Sequence, residues 1–202
     1  MLEFKEKADA IIKERYGITV EHVKSKWTYE SYFYHRRTSK TKNFPLQFHG
    51  FPRTIGSWCN SVLKREPLRK IEKGNIVYVG IAADEPNRFH SLSETKISPL
   101  VEANWDESKC LEWCKENDLL SPIYTSSTRG GCWFCHKQPI DQLRKLRQNY
   151  PEYWDILLKW DLDSPMNFKA DGHSVHDYDK RFALEEKGLI PNDKTFKWKM
   201  ID

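Results

Sequence analysis

The sequence lacks the features that direct a chain into a membrane or out of the cell. It contains no long apolar run, and its opening stretch, MLEFKEKADAIIKERYG, is charged and amphipathic, unlike a signal peptide. Its five cysteines are an odd number, which does not suit a framework of paired disulfides. We therefore expect a cytoplasmic protein with reduced thiols and no membrane partner.

Glycine is also scarce, and its placement excludes one common way of holding a phosphate. The only adjacent glycines are Gly130 and Gly131. A glycine-rich turn such as S-G-G-x-D-S, whose backbone N–H groups cradle phosphate or pyrophosphate, is therefore absent. A nucleotide bound by this chain alone would lack its main anion cradle.

The residues that are present suit a folded domain. Of the 202 residues, 39% are hydrophobic and 13% are aromatic, which is more than a disordered chain contains and enough for a core. The length suits one medium domain, or one domain with a helical appendage. The formal net charge of +4 tolerates an anionic ligand without requiring nucleic acid.

The stretch NIVYVGIAADE, residues 75–85, has the plainest strand pattern in the chain. Its apolar run from Ile76 to Ile81 predicts a strand buried on both faces, as in α/β sheets. Ligands of such sheets gather at the carboxyl ends of the strands. Glu85 and Arg88 follow this strand, so they are expected at the ligand-binding end.

The stretch RGGCWFCHKQ, residues 129–138, carries the clearest chemical motif. Cys132, Cys135 and His136 spell C-x-x-C-H, which fits a haem attachment site, a redox dithiol or half of a metal site. Haem attachment belongs mostly to exported proteins. A thioredoxin-like dithiol follows a strand and opens a helix, whereas this motif follows a polar loop. Half of a metal site, with further ligands elsewhere in the chain, is therefore favoured.

Four stretches of the chain together resemble a known family. They are SWCNSVLKREPL, YVGIAADEPNRF, KISPLVEANWDESKCLEW and RGGCWFCHKQ with its helices. In this order and spacing they are similar to the phosphoadenosine phosphosulfate reductase family of the PP-loop nucleotide enzymes, and more closely to its phage and mobile-element branch. The resemblance implies a truncated three-layer α/β core, Rossmann-like and adenine-nucleotide-hydrolase-like, over residues 1–125. The cysteine loop and a helical C-terminal region would then occupy residues 126–202.

Two features of that family are absent from the chain. The PP-loop would precede residue 1 in the family pattern, so Met1 resembles an internal position of a longer chain. The true reductases carry a catalytic cysteine in a C-terminal tail, whereas no cysteine follows Cys135. The resemblance thus implies a C-terminal portion that acts on an adenylyl or sulfonucleotide substrate and is inactive alone. The missing strands would leave a sheet edge uncovered, so we expect a homodimer or a PP-loop-bearing partner.

The resemblance also implies a site ligated by cysteines. Iron–sulfur reductases of the family carry paired cysteines before a K-x-x-P-L string, and here Trp58 and Cys59 stand at the pair. Cys59, Cys132 and Cys135 would hold an iron–sulfur cluster or zinc, which aerobic purification would strip. The candidates for a fourth ligand are His136, His173, His176 and Cys114. The alternative is that the three cysteines are simply buried in a core.

Three cationic residues are candidates for binding the anionic part of the substrate. They are Lys64, Arg88 and Arg129, since arginine suits bidentate oxyanion binding and Lys64 belongs to the string after Cys59. Glu85 is expected to pair with Arg88 and orient it. The alternative for each of these residues is a solvated surface charge.

The stretch from Lys24 to Lys42 interleaves aromatic and basic residues. Stacking combined with positive charge is how many proteins hold single-stranded nucleic acid. This supports a second, non-catalytic hypothesis, in which the chain is a binding module stabilised by a cluster or zinc and associated with nucleic acid. The alternative for this stretch is an aromatic core helix followed by a basic loop.

Overall fold

The computed structural model describes residues 2–38, 47–53, 55–125 and 130–201. In these ranges the protein is mainly helical, with a single small parallel sheet of two strands. The chain divides into two compact units, each built from two separate segments. The first unit comprises residues 1–24 and 66–130, and the second comprises residues 25–65 and 131–202. The division into residues 1–125 and 126–202 that we expect from the sequence remains a prediction. The second unit of the structure contains residues 25–65 in addition to the C-terminal residues.

The helices and strands are joined by connections of very different length, the longest of which lies between Phe33 and Trp58. In chain order they are α1 (Leu2–Tyr16), α2 (Tyr29–Phe33), α3 (Trp58–Asn60), a π-helical turn (Ser61–Arg65), α4 (Glu66–Glu72), β1 (Val77–Tyr78), α5 (Pro86–Phe89), β2 (Lys96–Ile97), α6 (Pro99–Glu102), α7 (Glu107–Glu116), a 3-10 turn (Pro122–Thr125), α8 (Ile140–Asn149), α9 (Pro151–Asp163), α10 (Val175–Glu186) and a 3-10 turn (Trp198–Met200). Among the described residues, no helix is long and apolar enough to cross a membrane.

The sheet of the first unit is shorter than the sequence predicts. Strand β1 pairs in parallel with β2 through Val77 opposite Lys96 and Tyr78 opposite Ile97. The prediction of a long strand buried on both faces is wrong, because Ile76 is 63% exposed and Tyr78 is 70% exposed. A strand is covered on both faces only where helices pack on both. Burial begins instead just after the strand, at Ile81 and Ala82.

Hydrogen bonds that involve its backbone groups hold the segment that follows β1. The Ser98 hydroxyl donates to the Ile81 carbonyl at 2.7 Å. The Ala83 N–H donates to the Trp105 carbonyl at 2.7 Å, so the chain after β1 is tied to the start of α7. Asp106 caps that helix by accepting from the Lys109 N–H at 2.7 Å, as its position before the helical pattern predicts. The segment that carries Glu85 is therefore anchored at its N-terminal end.

The second unit is a helical bundle with a strongly aromatic core. Helices α8, α9 and α10 form where the sequence repeats apolar residues at helical spacing, and α9 starts with Pro151 in its first turn, as predicted. Its buried hydrophobic core consists of Tyr29, Phe33, Phe51, Leu143, Leu146, Trp154, Leu157, Trp160, Phe168, Val175, Tyr178 and Phe182. Helix α2 contributes two of these residues, so the segment 25–65 is an integral part of this core.

A buried ionic network links α8 to α10. Glu185 has a side chain only 3% exposed, and it accepts from Arg144 Nε and Arg181 Nε, both at 2.7 Å. The Arg181 guanidinium also lies over the Phe196 ring at 3.7 Å from its centroid. Because both cations reach the carboxylate of Glu185, its burial leaves no uncompensated charge.

Gly50 allows a close approach that no other residue permits. Its φ of +61° is strained for residues with a side chain, and an added Cβ would lie 2.5 Å from Ser164 Oγ and 2.6 Å from Pro165 Cδ. We predict that Gly50→Ala lowers the free energy of unfolding by about 3 kcal/mol, the sum of left-handed strain and overpacking. Denaturant titration followed by tryptophan fluorescence measures this change.

Gly56→Ala is the matched control for that substitution. Gly56 has a similar φ of +70°, but a Cβ there would meet no atom within 4 Å. Gly56→Ala should lower the free energy of unfolding by about 1 kcal/mol, from backbone strain alone. Equal losses for the two variants would show that the contact with Ser164 and Pro165 costs nothing.

Candidate functional site

The C-x-x-C motif forms a tight turn of the second unit. The Cys135 N–H donates to the Cys132 carbonyl at 3.0 Å, and the Gln138 N–H donates to the Cys135 carbonyl at 2.9 Å. The Gln138 side-chain amide also donates to the Cys132 carbonyl at 3.1 Å. The next helix starts only at Ile140, so the motif does not open a helix as a thioredoxin-like dithiol does. This local geometry favours the metal-ligand alternative over the dithiol.

Aromatic contacts fasten this turn to the core. The ring of Phe134 lies 4.1 Å from the ring of Tyr29, centroid to centroid. Trp133 stacks on Tyr153 at 4.8 Å and on Trp160 at 5.7 Å. The two residues between the cysteines thus pack against α2 and α9, which fixes the position of the turn.

Trp58 anchors the adjacent Cys59 at the same core. The Trp58 indole N–H donates to the Gly50 carbonyl at 3.1 Å, and its ring lies 4.9 Å from that of Tyr29. Cys59 itself is partly buried against the core. The π-helical turn that follows contains Lys64. Such turns are frequent at functional sites, because they change the direction in which side chains leave a helix.

The three cysteines lie close enough for their charges to affect one another. Burial raises the pKa of Cys59, and the negative charges of Cys135 and Cys132 raise it further. Partial burial also raises the pKa of Cys132, whereas the positive charge of Lys64 lowers it and the charge of Cys135 raises it. In the second unit, the charges of Cys132, Cys135 and Lys64 thus act on Cys59. The charges of Lys64 and Cys135 also act on Cys132.

Tyr29 is a member of this site that the sequence does not reveal. Its side chain is buried, and its hydroxyl has no hydrogen-bond partner in the part of the chain that the structure describes. Burial raises the pKa of Tyr29, and the charges of Cys59, Cys135 and Cys132 raise it further. From the sequence, Tyr29 is one of several aromatics in α2, and only the tertiary packing buries it near the thiols.

The donor set suits a thiophilic group, although the side chains do not already surround a common point. Thiolates favour zinc and iron–sulfur clusters, and the aromatic residues beside these three exclude water. Across residues 2–38, 47–53, 55–125 and 130–201, no three His, Cys, Asp or Glu side chains have the arrangement that holds a metal ion. The unpartnered Tyr29 hydroxyl is the observation that a bound group would account for.

His136 is the most buried of the predicted fourth ligands. It is only 6% exposed, and its Nε2 has no partner among the described residues. Burial, together with the positive charges of Lys137 and Lys169, lowers the pKa of His136 to about 4. The imidazole is therefore neutral at physiological pH, which is the form that binds metals.

The other fourth-ligand candidates already have neighbours of their own. His176 Nδ1 lies 2.6 Å from an Asp161 oxygen, and the His173 ring stacks on Trp198 at 3.6 Å. Cys114 belongs to the first unit, on α7, where its charge contributes to raising the pKa of Cys110 after the larger effect of burial. These are ordinary structural contacts of a loop residue, His173, and of a residue in the first turn of α10, His176.

A cavity of about 430 Å³ lies beside the C-x-x-C turn, and its wall includes His136, Gln138 and Lys169. The Lys169 ammonium donates to the Gln138 carbonyl. Burial lowers the pKa of Lys169, whereas the negative charges of Asp171 and Cys135 raise it. Lys169 thus places a second positive charge within reach of the cysteine site, in addition to that of Lys64.

The predicted anion-binding residues divide between the two units. Glu85 and Arg88 belong to the first unit and form the expected ion pair, with Arg88 NH1 2.6 Å from the Glu85 carboxylate. This hydrogen bond is the main cause that lowers the pKa of Glu85. Lys64 belongs to the second unit, and Arg129 lies outside the described residues. A joint anion site therefore remains a prediction.

Some aromatic residues of the basic stretch belong to the hydrophobic core. Tyr29 and Phe33 are buried, which agrees with the alternative of an aromatic core helix. Around them, half-buried rings pack together, with Tyr32 stacked on His49 at 4.4 Å and Trp27 lying 4.7 Å from His35. Two basic residues of the stretch, Lys40 and Lys42, lie outside the described residues.

Comparison with known proteins yields a distant relative. No protein-family model matches the chain. No solved structure matches it significantly. An uncharacterized protein of Methanocaldococcus jannaschii is 26% identical over 180 residues, which cover 79% of this chain. The chain spans about 38% of that protein's length.

Lys64 should control the reactivity of Cys132. Its positive charge stabilises the thiolate, so Lys64→Gln raises the pKa of Cys132 and moves its alkylation profile to higher pH. Because the interaction is largely exposed, we expect alkylation at pH 8 to slow only about two- to fivefold. Peptide-resolved mass spectrometry of the reduced, metal-free protein treated with iodoacetamide measures the rate at each cysteine.

Arg65→Gln is the control for this experiment. Arg65 is on the same π-helical turn and its loss changes the net charge equally, but its charge is not among those that act on Cys132. Equal slowing by both substitutions would show that overall charge, rather than Lys64, governs the thiol.

Proposed function

We propose that the chain is a phosphoadenosine phosphosulfate reductase-like protein whose second unit holds an iron–sulfur cluster through Cys59, Cys132 and Cys135. In this proposal it is the C-terminal portion of a protein that acts on an adenylyl or sulfonucleotide substrate. Without a PP-loop it is inactive alone. The observation that carries the proposal is the electrostatic coupling of Cys59 to Cys132 and Cys135, which lie more than seventy residues further along the chain.

The surroundings of the thiols support a cluster. Three thiolates concentrate negative charge, and Lys64 and Lys169 supply positive charge that offsets it. Trp58, Trp133 and Phe134 provide an apolar shell, which protects a cluster from water. A bound cluster would supply electrons at this position.

The first unit supports the nucleotide part of the proposal. The β1–α5–β2 segment is a parallel strand–helix–strand unit, which is the building block of the three-layer Rossmann-like core that the family resemblance implies. The Glu85–Arg88 pair follows β1, at the end of the strand where ligands of such cores bind. Arg88 has a side chain that is 59% exposed, so it is accessible to an anionic ligand.

A partner is part of this proposal. The PP-loop would come from a longer natural chain or from another protein, and a homodimer is the simplest alternative. The exposed apolar side chains of Ile76 and Tyr78, on and beside β1, support such a partner, because an unpaired sheet edge readily accepts another chain.

The second candidate function is a non-catalytic module that uses a cluster or zinc for stability and associates with nucleic acid. The observation that favours it is the group of half-buried rings around Tyr32, with Lys26 lying 5.4 Å from the Trp27 ring centroid. Rings and cations in this combination hold single strands by stacking and charge. Filter binding with single-stranded oligonucleotides at two salt concentrations distinguishes this function from the first.

Metal analysis tests the proposal directly. We expect protein that is purified anaerobically, or reconstituted with iron and sulfide, to contain both elements and to absorb visible light through thiolate-to-iron charge transfer. Cys59→Ser, Cys132→Ser and Cys135→Ser should each remove most of the iron, because each removes one of three ligands. Iron and sulfide assays with absorption spectra measure this, and circular dichroism checks that each variant is folded.

Cys110→Ser is the control, since Cys110 lies on α7 of the first unit. It should keep the full iron content. Zinc in place of iron, without visible absorption, would support the second candidate function. A wild-type protein that holds neither metal under anaerobic conditions would contradict both, and the cysteines would then be core residues.

Nucleotide binding gives a further test. Because the sequence has no glycine-rich phosphate turn, we predict that the chain alone binds ATP and the phosphosulfate nucleotide weakly or not at all. Residual affinity for sulfate or phosphate should remain through Lys64 and Arg88. Isothermal titration calorimetry measures each of these affinities. Submicromolar binding of either nucleotide by this chain would contradict the requirement for a separate PP-loop.

A further inference from the structure

The Tyr29 hydroxyl is an unusual group in the second unit. The residue is only 9% exposed, and the hydroxyl makes no hydrogen bond to any residue that the structure describes. Burying a hydroxyl without a partner is unfavourable, so such groups are rare in native proteins and require an explanation. An acceptor that occupies the site when a ligand is bound is one such explanation.

The ring of Tyr29 is held so that its hydroxyl cannot turn toward solvent. It packs against Phe134 at 4.1 Å, Trp58 at 4.9 Å and Trp160 at 5.1 Å between centroids. The capping box between Thr28 and Ser31 fixes the start of α2, one residue before Tyr29. Both the backbone and the ring are therefore pre-organised.

The neighbours of the ring place Tyr29 beside the three cysteines. Phe134 stands between Cys132 and Cys135 in the sequence, and Trp58 directly precedes Cys59. The charges of all three thiols act on the hydroxyl. A phenol O–H needs an acceptor, and a thiolate or a sulfide is a far better acceptor than a neutral thiol.

We infer that Tyr29 is a positioning residue that donates a hydrogen bond to a sulfur of the group held by Cys59, Cys132 and Cys135. This inference rests on the proposed thiolate site. The hydroxyl has no partner among the described residues, and it would gain an acceptor when the three cysteines bind a metal or cluster as thiolates. Hydrogen bonds of this kind stabilise the bound form and are as much a part of a metal site as its ligands.

Cobalt(II) is the probe that tests the inference, because its thiolate complexes absorb in the visible range. The full chain, reduced and metal-free, is titrated with cobalt(II) as wild type, Tyr29→Phe and Tyr34→Phe. We expect Tyr29→Phe to bind cobalt(II) about 10- to 100-fold more weakly, as is typical when a hydrogen bond to a ligand is lost. Metal-free Tyr29→Phe should unfold at the same denaturant concentration as wild type or at a higher one, because it loses only an unpaired hydroxyl.

Tyr34→Phe is the matched control. Tyr34 also packs against this core, but its hydroxyl donates to Asp163 at 2.7 Å and feels no cysteine charge. Its loss should leave cobalt(II) affinity unchanged. A purely structural role for Tyr29 would instead lower the stability of the metal-free protein and leave the affinity of the folded fraction as in wild type.

The outcomes separate this inference from the proposed function. If wild type binds neither cobalt(II) nor a reconstituted cluster, the proposed function fails. If wild type binds and Tyr29→Phe binds equally well, the inference is overturned and the proposed function stands. Should Tyr29→Phe not fold, site-specific 3-fluorotyrosine at position 29 provides the test, because its more acidic hydroxyl is a stronger donor. We then expect tighter cobalt(II) binding, and unchanged binding would overturn the inference.

Discussion

The contact between the Tyr29 and Phe134 rings is the constraint on which the second unit depends. Phe134 lies inside the C-x-x-C turn and Tyr29 begins α2, so this pair of rings joins the two segments of the unit beside the cysteines. Trp160 of α9 packs against both rings, at 5.1 Å from Tyr29 and 6.0 Å from Phe134. The C-x-x-C turn is consequently held by aromatic side chains that also form part of the hydrophobic core.

The electrostatic design of the site follows from this packing. Aromatic burial removes water from the thiols, which raises the pKa of Cys59 and Cys132 and favours their neutral forms. Lys64 opposes this effect at Cys132, while Cys135 in turn acts on Lys169. Cys59 and Cys132 are consequently neutral thiols at physiological pH, and a metal cation would have to displace their protons on binding.

Local patterns in the sequence predict much of the fold, and non-local ones predict little. The three C-terminal helices and the Asp106 cap follow from residue spacing within a few turns. The length of β1 depends on what pairs with and covers it, and the apolar run from Ile76 to Ile81 does not contain that information. The family resemblance led to Cys59, since nothing local connects it with a turn more than seventy residues away. Tyr29 escaped prediction because only tertiary packing buries its hydroxyl.

The tryptophans beside the cysteines also provide an intrinsic fluorescence signal from this part of the protein. Three of the eight tryptophans, Trp58, Trp133 and Trp160, belong to the core or pack against it beside the cysteines. Trp133 and Trp160 are stacked only 5.7 Å apart, so excitation energy absorbed by one passes readily to the other. A coloured or paramagnetic centre between the thiols would quench this emission strongly, whereas a colourless ion would leave most of it intact. The intrinsic fluorescence of the chain would therefore report whether such a centre is bound.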